Sequence, residues 1–294
     1  TPIGDPPLLM GFSRGVPFFW SLRLIPILLV NMVLLLAIFY FLDKKAYQKD
    51  ISKGLMPEIK EGEPLVRIKG AHNFIFIIMI VVAVILSGVL PELDAFKNAA
   101  GEVIGIHIFG EVRLTVPAII EVAIILIAAF LSFKTTNVEI RKENHFTWGA
   151  IEEVAVLFVG IFITMQPALM ILKSAGASLG LSQPFQMFWV TGALSSFLDN
   201  TPTYLVFLTT AGSMSFASGI ATTVGTIPVK MLMAISCGAV FMGANTYIGN
   251  APNFMVKSIS DENGVKMPSF FGYIGWSVRY LIPVFIIDTL LFFL

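Results

Sequence analysis

The stretch Gln186–Ala211 reads QMFWVTGALSSFLDNTPTYLVFLTTA, an apolar run cut near its middle by Asp199-Asn200-Thr201-Pro202. At about 1.5 Å per residue, neither the limb before Asp199 nor the limb after Pro202 crosses a bilayer core about 30 Å thick. The pattern predicts a re-entrant hairpin with Asp199 at its tip, where a carboxylate is costly and therefore implies a function. Pro202 cannot continue the preceding backbone ladder, so carbonyls of the first limb are left open to a cation. Asn200 and Thr201 add neutral oxygens, and Asp199 adds a charge that a proton can replace. The plainer alternative is that Asp199 or Thr201 only caps a helix, as such residues before proline often do.

The rest of the chain places this hairpin in a membrane. Of 294 residues, 56% are hydrophobic and 13% charged, against about a quarter charged in soluble domains. Apolar runs of membrane-spanning length cover Phe18–Leu42, Asn73–Leu90, Leu114–Phe133, Ala150–Leu172 and Gly272–Leu294. Asp43–His72 carries Lys44, Lys45, Lys49, Lys53, Lys60, Arg67 and Lys69 and is expected on the cytoplasmic side as a solvated linker. The nineteen basic and nineteen acidic residues balance, so no charge bias points to nucleic acid. One cysteine, Cys237, and three dispersed histidines supply no disulfide or zinc framework. No phosphate-binding Gly-x-x-x-x-Gly-Lys loop is present, so a nucleotide is not expected.

A second interrupted helix covers Met231–Val256, where Gly243-Ala244-Asn245-Thr246-Tyr247-Ile248-Gly249-Asn250-Ala251-Pro252-Asn253 breaks the apolar run. Unwound backbone at that depth is tolerated only in a protein-lined site. Asn245, Thr246 and Asn250 are its natural ligands, with Gly249 and Pro252 breaking the helix alongside Pro202. This stretch has an echo at the start of the chain: Thr1, Ile3-Gly4, Asp5, Pro7 and Met10 align with Thr246, Ile248-Gly249, Asn250, Pro252 and Met255. Farther on, Trp20-Ser21, Arg23, Ile25-Pro26 and Asn31 are answered in order by Trp276-Ser277, Arg279, Ile282-Pro283 and Asp288. The two copies are expected to run in opposite directions, the inverted repeat of many secondary transporters. On this reading residues 1–42 end a first repeat, 43–72 link, and 73–294 form the second. Roughly 170 residues matching Asn73–Asn245 are then expected upstream of Thr1.

These motifs resemble those of the ion transporter superfamily, particularly NhaD-type sodium/proton antiporters and the related citrate transporters. In that superfamily each inverted repeat supplies a hairpin tip, often Ser-Asn-Thr or Asp-Asn-x-Pro, and a broken helix with Asn-Thr or Gly-Asp/Asn. Asp199-Asn200-Thr201-Pro202 resembles the second tip, Asn245-Thr246 with Gly249-Asn250 the second broken helix, and Thr1–Pro7 the end of the first. The resemblance implies an all-α integral membrane protein, an inverted-repeat secondary transporter with a re-entrant hairpin and broken helices. It also implies ion or substrate ligands at Asp199, Asn200, Thr201, Asn245, Thr246, Asn250, Thr1 and Asp5.

An Asp at the tip, where carboxylate symporters resemble Ser-Asn-Thr, disfavours an anionic substrate and suits alternation between cation and proton. The expectation is a sodium/proton antiporter of the inner or plasma membrane, crossing it several times. Sodium and protons are cargo, and neither a cofactor nor a resident metal is expected. Partners are the lipid bilayer, the upstream half of the same chain and a second copy in a homodimer. A cation-coupled citrate or dicarboxylate symporter is the alternative, and an assembly subunit the alternative of another kind. No enzyme motif is found. Glu121, mid-span, and Glu153, beside Glu152 at a span start, are candidate proton-relay carboxylates; a structural pair or a helix-terminal charge is the competing role of each. Arg23 and Arg279 read as interfacial anchors, Asp288 as ambiguous.

Overall fold

The computed structural model describes residues 5–54, 68–99, 101–109, 112–144, 146–148, 180–262 and 264–294, with scattered positions between 152 and 170. The chain divides into two compact units, Ile59–Trp148 and the combination of Thr1–Glu58 with Gly149–Leu294. The fold is that of an all-helical membrane protein: the helices Phe18–Ser52, Val116–Thr135 and Phe270–Phe293 are long and apolar enough to cross a membrane. Strand among the described residues is confined to two short hairpins.

Helix α1 (Pro6–Ser13) starts at Asp5, whose Oδ2 accepts a hydrogen bond from the Leu8 amide at 3.3 Å. Prolines in its first two positions need no donor there and preset the backbone for the helix. A 3-10 segment, Phe18–Leu24, leads into α2 (Ile25–Ser52), which begins with Pro26 in its first turn and continues past Leu42 into the charged stretch.

In the smaller unit, α3 (Asn73–Val89) is followed by strands β1 (Gly105–Phe109) and β2 (Val112–Thr115), then α4 (Val116–Thr135) and α5 (Val138–Glu143). The apolar run expected to begin as helix at Leu114 gives its first two residues to β2, with Leu114 opposite Ile106. Thr115 then ends the strand and caps α4, its Oγ1 accepting from the Ala118 amide at 3.4 Å. Helices α3 and α4 are tied at one end by Asn73: its Oδ1 accepts from Ser132 Oγ at 2.6 Å, and its Nδ2 donates to Thr136 Oγ1 at 2.9 Å.

In the larger unit the hairpin follows, as α6 (Pro184–Ser195) and α7 (Asn200–Ser213), two limbs of about 18 and 21 Å at helical rise. Strands β3 (Ile220–Thr222) and β4 (Gly225–Ile227) pair across the loop that leads to α8 (Val229–Met242). A 3-10 turn at Gly243–Asn245 and an unwound stretch separate α8 from α9 (Ala251–Glu262). Last comes α10 (Phe270–Asp288), whose chain winds on as a π turn at Thr289–Phe293.

The core of this unit is the packing of α6, α7 and α8 around Met187, Phe188, Tyr204, Leu208, Leu232 and Ile235, all buried. Lipid tails are as apolar as leucine, so close contact between helices matters more here than exclusion of water. Gly238 supplies that closeness: a Cβ there would stand 2.5 Å from the carbonyl oxygen of Phe188. The outer faces of α2 and α4 are apolar and exposed, at Phe39, Phe41, Leu126 and Phe130 among others, as lipid-facing helices require. The span expected at Ala150–Leu172 lies largely outside the described residues.

Candidate functional site

The hairpin turns at Ser196–Asp199, and the turn is built by residues just before the predicted tip. Ser195 Oγ donates to the Ala239 carbonyl at 2.6 Å, binding the end of α6 to α8. Ser196 Oγ lies 2.9 Å from both the Gly192 and the Met242 carbonyls, and so bridges its own helix to the end of α8. Asp199 then leads into α7 from an extended conformation, with its carbonyl accepting from Thr203 Oγ1 at 3.0 Å. Pro202 sits in the first turn, where an absent N–H leaves nothing unpaired. Asn200 and Thr201 are buried, and Thr201 Oγ1 donates to Asn200 Oδ1 at 3.3 Å.

The broken helix closes on this turn. Asn245 Nδ2 donates to Ser196 Oγ at 3.0 Å, and Thr246 Oγ1 donates to the Ser196 carbonyl. The same threonine oxygen accepts from the amides of Ile248 at 3.2 Å and Gly249 at 3.0 Å, so one hydroxyl holds both the tip and its own unwound backbone. Asn253 serves the other side of the break, its Nδ2 donating to the carbonyls of Gly243 at 3.1 Å and Thr246 at 2.9 Å. Tyr273 of α10 donates to the Ala244 carbonyl at 3.1 Å and stacks on Tyr247 at 4.2 Å between ring centroids. Gly249 passes so close to the hairpin that a Cβ would lie 2.8 Å from the Ser195 carbonyl.

Two oxygens are left over. Asp199 Oδ2 and Asn245 Oδ1 are buried and make no hydrogen bond, one from each interruption. The amide of Asn245 faces Ser196 through its nitrogen because the Ser196 hydroxyl is committed to carbonyls and its oxygen must accept; Oδ1 is therefore the free end. The other buried unpaired side-chain atoms, on Trp20, Thr191, Tyr204 and Ser236, each carry a hydrogen to donate. Among the described residues, only the tip and the break present unpaired buried oxygens that are acceptors and nothing else, the ligand type a hard cation needs.

Among the remaining predicted residues, Asn250 has a structural post: its Oδ1 accepts from the Asn253 amide at 3.0 Å and caps α9. Asp5 has the same post on α1, three residues before its own bonded amide, so the two residues aligned in the sequence perform one task. Pro252 follows in the first turn of α9 as Pro7 does in α1. Glu121 is half-buried in the second turn of α4, nearer its start than its middle, in the smaller unit. Thr1 and Glu153 lie outside the described residues, and Glu152 is exposed. Sequence reasoning passed over Ser195, Ser196 and Asn253. Their signal was spacing: Ser195 stands one helical turn before Asp199, and Asn253 three residues after the capping Asn250.

Residues 1–293 match the family described as "Putative citrate transport". No curated protein and no solved structure matches the chain.

Proposed function

The chain belongs to that citrate transport family, and from this premise we propose that it works in secondary active transport, exchanging sodium for protons at Asp199. The observation that carries the reading is the pair of buried acceptor oxygens, Asp199 Oδ2 and Asn245 Oδ1, contributed by two chain breaks that are bonded to each other through Ser196. An ionised Asp199 supplies charge and the amide oxygen a neutral ligand; a proton on Asp199 removes the charge and releases the cation. Competition for one carboxylate couples the two ions without any further residue. Thr246, Asn253 and Tyr273 hold the unwound segment so that the ligands are in place before the ion arrives.

Everted vesicles containing the transporter test this by the pH change that follows a sodium pulse, beside the Asp199→Asn variant. Sodium-dependent proton flux that disappears in the variant is the expected result; equal flux in both ends the proposal. Carboxylate transport is the second reading, favoured by the family's description and by the helix N-termini at Asn200 and Ala251, which suit an anion. Uptake of labelled citrate, unaffected by sodium-driven proton movement, decides for it.

A further inference from the structure

Asn31 and Asp288 hold the same place in the two aligned copies, each five residues after a proline, Pro26 and Pro283. They also touch. Asn31 Nδ2 on α2 lies 2.8 Å from Asp288 Oδ1 and 3.0 Å from Oδ2 at the end of α10. Positions related by a two-fold axis meet only on that axis, so this contact marks where a pseudo-two-fold axis between the copies passes. Of the neighbouring aligned positions, Ile27 and Val284, one residue after each proline, are both buried, as are Ser21 and Ser277, whereas Trp20 is buried and Trp276 exposed.

Asp288 is fully buried, and among the described residues no cation pairs with it. Its hydrogen bonds come from one amide nitrogen, whose other hydrogen serves the Ile27 carbonyl at 2.9 Å. From α8 the titratable group that faces it is the thiol of Cys237, from α2 there is only Asn31, and α6 meets the adjoining π turn through Trp189 Nε1 on Thr289 Oγ1 at 3.0 Å. A π turn beginning at the residue after Asp288 is a further irregularity of the kind that gathers at functional sites.

We propose that Asp288 is a proton-binding residue on the pseudo-two-fold axis, separate from the site at Asp199, with Asn31 as the group that positions it. Asn31 Nδ2 reaches both carboxyl oxygens, at 2.8 and 3.0 Å, while bonding the Ile27 carbonyl of its own helix, and so holds the acid in place across the axis.

The test is infrared difference spectroscopy on the full-length protein in lipid films at near-neutral pH, wild type minus Asp288→Asn. A carboxylic-acid carbonyl band present in the wild type and missing from the variant is expected; a wild-type spectrum without that band at any pH at which the protein is folded overturns the proposal. Exchanging the pair, Asn31→Asp with Asp288→Asn, keeps one acid and one amide on the axis. The band returns in the exchanged protein if the axis makes the two positions equivalent. If Asp288→Asn alone does not fold, the exchanged protein carries the test, and its lack of the band is the overturning result. The readout needs no transport, so failure of the sodium/proton reading and failure of this one are told apart.

Discussion

The two interruptions of the larger unit contain similar residues and are treated very differently by their surroundings. Around the broken helix, Thr246, Asn253 and Tyr273 bond five backbone groups between Gly243 and Gly249 and reach one more, the Ser196 carbonyl, outside it. At the hairpin tip the hydroxyls of Ser195 and Ser196 look backward to α8, and Asp199 projects with a buried oxygen unpaired. Both keep one unpaired oxygen, but the backbone of one break is braced and the carboxylate of the other is left open. A chain that must lose and regain an ion needs both, because an open ligand on an unbraced loop would relax onto the nearest donor.

That contrast separates two kinds of loss. Replacing Asp199 by Asn removes a charged ligand without enlarging or shrinking the tip; the expected effect is a fall of about a hundredfold in sodium-dependent exchange, corresponding to about 3 kcal/mol, with the melting temperature in detergent little changed. A large fall in melting temperature with exchange retained would reverse the roles of tip and break. Thr246→Val is the opposite case. It orphans the amides of Ile248 and Gly249 and frees the Ser196 carbonyl, costing about 2 kcal/mol of stability and lowering the melting temperature by several degrees.

Asn253→Ala comes next, at about 1 kcal/mol, since the carbonyls of Gly243 and Thr246 lose a partner but water at the break can replace part of it. Differential scanning fluorimetry ranks these two, and equal melting temperatures for Asn253→Ala and wild type would remove Asn253 from the brace. The smallest effect lies beyond the apolar part of α9. The Lys257 ammonium, bonded at 2.6 Å, and then the Met267 amide hold the Asp261 carboxyl below its ordinary range. A carboxyl lowered in the folded state contributes stability that is complete above its unfolded value and is lost as pH falls through the folded one. Because the pair is exposed, Asp261→Asn is expected to flatten only a shallow acid-side decline in melting temperature and to leave exchange unchanged.

The outline of the molecule was legible because interruptions of a membrane helix are rare and expensive. Asp199-Asn200-Thr201-Pro202 and the Gly243–Asn253 cluster stood out against apolar surroundings, and both are breaks in the structure. Capping was legible for a similar reason: Asp5 and Asn250, aligned in the sequence at one spacing from a proline, each cap the helix that follows. Strands β1 to β4 were not foreseen, since runs of three to five residues between helices carry too little period to read. Nor was the division of labour within the ligand list. Asn245 and Asn250 look alike in sequence, and only the bond from Asn253 to Asn250 tells the cap from the free amide. Ser195 and Ser196 were hidden because a serine in a membrane helix commonly bonds its own turn, whereas here the pair reaches across to another helix.

The length of α2 has one more consequence. Its 28 residues rise about 42 Å, roughly 12 Å more than the hydrocarbon of a bilayer, and the excess begins at Asp43, Lys44 and Lys45. Those side chains are exposed and must remain in the headgroup layer, where Lys44 also lies 5.9 Å over the ring of Tyr40. The helix is thereby a depth gauge. Counting back from Asp43 places Asn31 about 18 Å below the lipid surface, within a few ångströms of the bilayer's centre, and Asp288 with it. A deletion of one helical turn between them would draw that contact toward one leaflet, and a bilayer of thinner lipid would do the same without touching the protein.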